Sequence, residues 1–199
     1  MPSIQTLVSD LNNGSVTAIG AKPPSNETNR SSVVDEDSHI KYRSVHMNAT
    51  ISDTNRLSFN SAVDSTTFNG NYLHYQDDQS TLAILDINRP LVASGNFSGC
   101  AYKVFRDTSG DHPVLLCAHI ARPSSPNSDR LVNLIDAYAG NNSWEELQSI
   151  GTMGHIGSNN CTEVILVTQL LSVSIDTILL EVSNTGAIVG TSDRTTTQL

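Results

Sequence analysis

Cys100 and His119 are the side chains whose types and spacing best suit nucleophilic chemistry. A cysteine beside a histidine can form a thiolate–imidazolium pair, in which the thiolate is the reactive species and the imidazolium lowers the cysteine pKa. The stretch Ser94-Gly95-Asn96-Phe97-Ser98-Gly99-Cys100 holds two glycines and two serines in seven residues, which reads as a loop with wide backbone freedom. Ala101 to Arg106 reads as a strand, and Asp107 to Pro113 as a turn dense in Asp, Ser, Gly and Pro. Val114 to Ile120 reads as a second, mostly apolar strand. Two strands joined by a few residues form a hairpin, which sets the start of the first beside the end of the second. Cys100 and His119 hold those two positions, so local geometry predicts them as neighbours. It also predicts a partly exposed Cys100 that reacts faster than the other thiols. Backbone N–H groups at Gly99 and Cys100 are candidate donors to the oxyanion of a tetrahedral intermediate.

Other residues compete for these roles. His112 lies in the turn, at the end of the hairpin far from Cys100. Cys117 alternates onto the same face as His119, but inside an apolar strand, where a buried thiol is inert. His155 sits in a glycine-rich loop, Gly151 to Gly157, which lacks the lysine of a phosphate-binding loop. The bland alternative makes Cys100 a small buried residue and His119 a satisfied core histidine.

Ser98-Gly99-Cys100, followed by a hairpin that ends in a histidine, resembles the catalytic signature of bacterial glutamine deamidase toxins of the Burkholderia lethal factor and cytotoxic necrotizing factor type. It is also similar to that of the chemoreceptor glutamine deamidases. The resemblance spans about Val92 to Ile120. It implies Cys100 as nucleophile and His119 as base. It also implies that Ser94, six positions before Cys100, stands where the lethal factor and the chemoreceptor enzymes carry a threonine that orients the histidine. Phe97 replaces the family's leucine, read as a minor packing change, and Ser94 keeps only the hydroxyl of the threonine. The fold implied is a β-sandwich flanked by helices. The activity implied is protein-glutamine deamidation in a toxin or effector. Relatives of this type act on Rho-type GTPases, a translation-initiation helicase or chemoreceptors, so the implied partner is a target protein with a reactive glutamine, such as a host GTPase or translation-initiation helicase.

The bulk properties bound these readings. A chain of 199 residues suits one domain, 1–199, with a core that needs no staples. Hydrophobic residues are 38% and charged residues 16%, so the surface is built largely of Ser, Thr and Asn. The formal net charge of −9 argues against nucleic acid or an anionic membrane as the main partner. Cys100, Cys117 and Cys161 form an odd, widely spaced set without a CxxC pair. A structural zinc site is therefore not expected, no cofactor is called for, and a reducing compartment suits the thiols. Met1 to Gln5 lacks the pattern of a signal peptide. The expected location is the bacterial cytoplasm, or a host cytosol reached through a dedicated secretion system.

The elements that must position the pair are mainly strands. Strand-like runs are Val16 to Ala21, Ile40 to Ile51, Arg56 to Asn60, Thr81 to Ile87, Cys161 to Leu171, Val173 to Val182 and an edge at Ala187 to Gly190. Asn69-Gly70-Asn71 reads as a tight hairpin turn. Met1 to Leu11 reads equally as helix or strand. Leu131, Leu134, Ile135 and Tyr138 share one helical face, predicting a helix over Asn127 to Ala139, capped by Asn127 or Ser128 and ended by Gly140. Trp144 to Leu147 suggests a second short helix. Residues 22–32 read as a mobile loop, 122–128 as a rigid polar connection, and 192–199 as a frayed tail.

The expectation is an α+β fold: a strand-dominated β-sandwich or twisted mixed sheet flanked by helices. The activity expected is a cysteine-dependent protein glutamine deamidase working through a thioester. Two alternatives stand beside it: a transglutaminase using the same Cys–His pair, and a non-catalytic β-sandwich binding module.

Overall fold

Ile40–Ile51 alternates in part, with a change of phase at Ser44 and Val45, which are buried in succession, and it forms one long strand, β3. The computed structural model describes residues 6–26, 28, 30–34, 39–61, 68–122, 129–192 and 194–199. Before β3 come a short helix α1 (Leu7–Asn12) and strands β1 (Ala18–Ile19) and β2 (Arg30–Val33). After it follow β4 (Arg56–Asn60), β5 (Gly70–Leu73), β6 (Ser80–Leu85) and β7 (Leu91–Phe97). The hairpin read from the sequence is present as β8 (Ala101–Asp107) and β9 (Val114–Ile120). Helix α2 (Arg130–Asn141), the longer of the two α-helices, leads to β10 (Trp144–Gly151). The chain ends with β11 (Cys161–Leu170), β12 (Ser174–Ser183), β13 (Ile188–Thr191) and β14 (Thr195–Gln198). Among the described residues the fold is strand-dominated, with two α-helices on a mixed sheet.

The sheet runs β10-β8-β9-β6-β3-β5-β7-β11-β12-β13, with β14 also on β12. Most neighbours are antiparallel, while β3/β6 and β5/β7 are parallel. The two ends of the sheet approach each other. Gln148 on β10 donates through Nε2 to Thr195 O and the Thr197 hydroxyl on β14, at 3.3 and 3.2 Å. Its Oε1 accepts from Thr177 at 2.6 Å, the first link of a buried chain through Thr168 to the Tyr102 hydroxyl. Each of these polar groups has a partner, so the chain ties β8, β10, β11 and β12 together without an unmet desolvation cost.

Apolar burial occurs on both faces of the sheet. One face of β3, β5, β7, β11 and β12 packs with α1, β1 and β4 around Leu7, Leu11, Met47, Phe59 and Ile178. Helix α2 covers β6, β8 and β9 through Leu131, Ile135 and Ala139. Between the sheet's own walls lie Leu73, Phe97, Cys100, Tyr102, Val104, Cys117, Leu166 and Leu179. The helix seat is also ionic: Lys103, nearly buried on β8, donates to Asp136 of α2 and Glu146 of β10, both at 2.6 Å.

Several expectations need correction. Trp144 to Leu147 is strand, because β10 zips antiparallel onto β8 from Trp144↔Asp107 to Gly151↔Ala101. Helical propensity in Glu-Glu-Leu yields there to ladder bonds and to the Glu146–Lys103 and Glu145–Arg106 pairs. The supposed frayed tail carries β14, whose β-branched threonines pair with Ile175 to Thr177 and whose Gln198 pairs with Ser174. Asn69-Gly70-Asn71 is no hairpin turn: Gly70 opens β5, where a Cβ would stand 2.7 Å from Leu91 O on the adjoining strand. Ser94 to Phe97 belongs to β7, and only Ser98 to Cys100 is loop. The helix runs through Gly140 to Asn141, and Asp129 precedes it without a side-chain cap bond. The caps read at Asn127 and Ser128, most of the 122–128 connection, Met1 to Gln5, and positions 27 and 29 of the 22–32 loop lie outside the described residues. Within that loop Arg30 already begins β2. Among the described residues, no helix is long and apolar enough to cross a membrane.

Candidate active site

Tyr102 on β8 stands directly opposite His119 on β9. Cys100 lies just before β8, two residues ahead of Tyr102, at the end of the hairpin where His119 stands. The face is the interior of the nearly closed sheet, at the end where β8 starts and β9 finishes. Strand β7 passes the same end and contributes Ser94 and Phe97, and β5 contributes Leu73.

His119 is held by this setting. The Ser94 hydroxyl donates to Leu73 O at 2.8 Å, and its oxygen lies 2.9 Å from His119 Nδ1. A serine hydroxyl has one proton, already given to Leu73, so His119 Nδ1–H must be the donor to Ser94. The tautomer is thereby fixed, with the lone pair on Nε2. Nε2 is buried and has no hydrogen-bond partner, so it makes no hydrogen bond to Cys100 in this state. The Phe97 ring stacks on the imidazole at 3.7 Å between centroids and 8° between planes. Tyr75, on the β5–β6 connection, approaches the same imidazole at 5.4 Å. With His119 1% exposed, burial pushes its pKa down to about 3.

Cys100 is 4% exposed, not partly open as local reading suggested. Burial raises its pKa, and three backbone N–H groups, of Arg122, Ser98 and Cys100 itself, act against that rise together with the Arg122 charge. The resting pair is therefore a neutral thiol and a neutral imidazole, in place of the thiolate–imidazolium pair expected from residue types. The low dielectric that makes either charge costly is the cause. The Cys100 carbonyl accepts from Thr152, whose hydroxyl lies at 2.7 Å, which fixes the loop on its β10 side. Gly99 takes φ +120°, and nothing lies within 4 Å of where its Cβ would stand. This is the open flank of the site. Tyr75, 39% exposed and bonded through its hydroxyl to Asp77 at 3.1 Å, reaches from the surface to His119.

The competing residues separate clearly. His112 is exposed in the β8–β9 turn, at the opposite end of the hairpin. His155 is bound through Nδ1 to Glu181 at 2.8 Å. Cys117 is fully buried, with the Tyr102 and Thr168 hydroxyls against its sulfur, and burial pushes its pKa up to about 12. Two surface cavities, of about 560 and 600 Å³, are lined by other residues: one by Lys22, Phe59 and Asn60, the other by Arg106, Leu115 and Leu170 at the far end of β8 and β9.

No protein-family model, curated protein or solved structure matches the chain. The site must therefore be judged from its own geometry. Sequence reasoning did not single out Tyr75, Arg122 or Thr152 for the site, and it gave Phe97 only a packing role. Tyr75 and Thr152 come from distant segments, and Arg122 lies two residues past the end of β9. An aromatic three residues before the cysteine was the one visible signal for the stacking partner.

Ser94→Ala tests the orienting contact directly. It strips Nδ1–H and Leu73 O of a partner inside the core, at a cost of about 1–3 kcal/mol in a urea-unfolding experiment. Imidazole ¹⁵N shifts should show a single Nδ1–H tautomer in the parent protein and a mixture in the variant. A single unchanged tautomer would assign the orientation to other contacts.

Proposed function

We propose that the chain is a cysteine-dependent protein glutamine deamidase, with Cys100 as nucleophile, His119 as base and Ser94 orienting the base. The observation that carries the reading is the bond from His119 Nδ1–H to Ser94, which leaves Nε2 as an unpartnered lone pair at the strand end beside Cys100. A buried nitrogen without a partner costs free energy, and such groups concentrate where chemistry needs them. The family resemblance at Ser98-Gly99-Cys100, and at Ser94 six residues earlier, points the same way. The fold proposed under that resemblance is the helix-flanked β-sandwich of the deamidase toxins.

In this reading, Nε2 takes the thiol proton as Sγ attacks the carboxamide carbon of a glutamine side chain. N–H groups at Gly99 and Cys100 receive the oxyanion. The imidazolium returns its proton to the departing ammonia. Water, deprotonated by the same Nε2, then cleaves the thioester and leaves glutamate. An amine in place of water would give transglutamination. Because thiol and imidazole start neutral, proton transfer accompanies attack and does not precede it. The partner is a protein bearing an accessible glutamine, in the class of host GTPases or a translation-initiation helicase. The chain acts as an effector and needs neither metal nor organic cofactor.

A second reading, a β-sandwich binding module with an inert cysteine, draws on the burial of Cys100 and its raised pKa. Intact-mass and peptide mapping of candidate target proteins after incubation separates the two. The deamidase converts one glutamine to glutamate, a gain of about 1 Da, as acyl transfer to water requires. A panel containing such targets with no modified glutamine, together with stoichiometric binding by the parent and by Cys100→Ala, favours the module.

A further inference from the structure

The imidazole of His119 is shut in at rest: the residue is 1% exposed, and Nε2 is buried without a hydrogen-bond partner. A glutamine side chain meets that nitrogen only after something has moved. The ring is held by Ser94 at Nδ1, by Phe97 stacked on it, and by Tyr75 tilted against it, with centroids 5.4 Å apart and planes at 53°. Ser94 and Phe97 belong to β7 and are 0% and 1% exposed, so displacing either would open the core. Tyr75 differs. It is 39% exposed and lies on the connection between β5 and β6, outside the sheet's ladder.

That connection is anchored on both sides of the tyrosine. The His74 carbonyl accepts from the Thr81 hydroxyl at 2.7 Å. Asp78 pairs through its carboxylate with Arg130 of α2, and its carbonyl accepts from His39 Nδ1 at 2.7 Å. Between these anchors Tyr75 donates its hydroxyl to Asp77, an exposed carboxylate two residues along the same connection, at 3.1 Å. Swinging the tyrosine out gives up that surface hydrogen bond and one aromatic contact, and it leaves the strands paired. We infer that Tyr75 is the access residue of the site: its ring covers the imidazole in the resting chain, and a glutamine side chain reaches His119 only once that ring has swung out. This rests on the reading of His119 as base and adds to it how a buried base is reached. With the ring in place, water is kept from the imidazole; with the ring out, Nε2 can take the thiol proton and return it to ammonia.

The test reads the imidazole and needs no target protein. Diethylpyrocarbonate modifies neutral imidazole, and peptide mapping follows His119, with the exposed His112 as the fast reference. Tyr75→Ala should speed modification of His119 about tenfold or more, because it removes the ring contact and the cover together. Asp77→Ala and Tyr75→Phe keep the ring and lose only its tether, so each should give a gain of about two- to five-fold, the worth of one hydrogen bond. Titration of the imidazole ¹⁵N signals supplies a second readout. With water admitted in Tyr75→Ala, the His119 pKa should rise from about 3 by about one pH unit or more. Iodoacetamide labelling of the fully buried Cys117 separates opening of the site from general loosening, and its rate should match that of the parent. An unchanged rate at His119 in folded Tyr75→Ala overturns the inference. Where that variant does not fold, unchanged rates in Asp77→Ala and Tyr75→Phe do so. A gain at His119 matched by Cys117 also overturns it. Faster modification of His119 in a protein that deamidates no glutamine would leave the access role standing and remove the deamidase reading alone. Deamidation by the parent, with His119 no more reactive in Tyr75→Ala, would do the reverse.

Discussion

Cys100→Ser and His119→Ala should each lower glutamine deamidation by about 10³-fold or more, and the double variant should be no slower than either alone, since residues acting as one unit do not add. The serine variant should keep the fold. Oxygen is slightly smaller than sulfur, so the replacement does not overpack the buried position. Its chemistry should fail because the hydroxyl holds its proton far more tightly than a thiol does and oxygen is the weaker nucleophile at the same pH. In His119→Ala the thiol loses the acceptor for its proton and the donor to ammonia. The checks are ammonia release and peptide mass. His112→Ala and Cys117→Ser should leave the rate within a few-fold, because His112 is exposed at the other end of the hairpin and Cys117 is enclosed by Tyr102 and Thr168. A rate lost in Cys117→Ser and kept in Cys100→Ser would reassign the nucleophile.

Stability should fall steeply on acidification, and His119 should carry much of the slope. Its pKa drops from 6.5 in the unfolded chain to about 3 in the folded protein. Above pH 6.5 both states hold the ring neutral and the contribution is complete. As pH falls toward 3, the unfolded chain binds a proton that the folded protein refuses, and stability is lost with each step. One such group costs about 1.4 kcal/mol per pH unit in this window, so the loss near pH 5 is about 2 kcal/mol. At the alkaline end the sign reverses. Cys117, raised from 9.0 to about 12, contributes stability that is complete below pH 9 and falls as the unfolded thiol ionises first. Urea-unfolding free energies from pH 8 to 4.5 measure the acid limb. His119→Gln should flatten that limb, whatever its effect on the absolute value at neutral pH. Parallel profiles for the parent and His119→Gln would show that carboxylates drive the acid limb and that the imidazole is not shut away from protons.

The alternation of Ile40 to Ile51 and the turn chemistry of Asp107 to Pro113 settled β3, β8 and β9 without tertiary information, because strand period and turn preference act within a few residues. The hairpin in turn set Tyr102 opposite His119 and brought Cys100 to the same end of the two strands. Ser94 came into view only through the resemblance; its reach to Nδ1 depends on β7 lying beside β5, which places Leu73 to accept its proton. Trp144 to Leu147 and Thr195 to Gln198 were misjudged for one reason. Their local composition favours helix or polar tail, and only the waiting edges of β8 and β12 give their backbone groups a better partner. The state of the site was decided at the same level. Residue types alone suggest an exposed thiolate beside an imidazolium. Phe97 and Tyr75, brought onto the imidazole by segments separated in the chain, help to shut it from water, and burial leaves both groups neutral at rest. Short-range patterning determined which residues would meet. The desolvation that sets their charge belongs to the closed sheet, since burial is a property of every surrounding element at once.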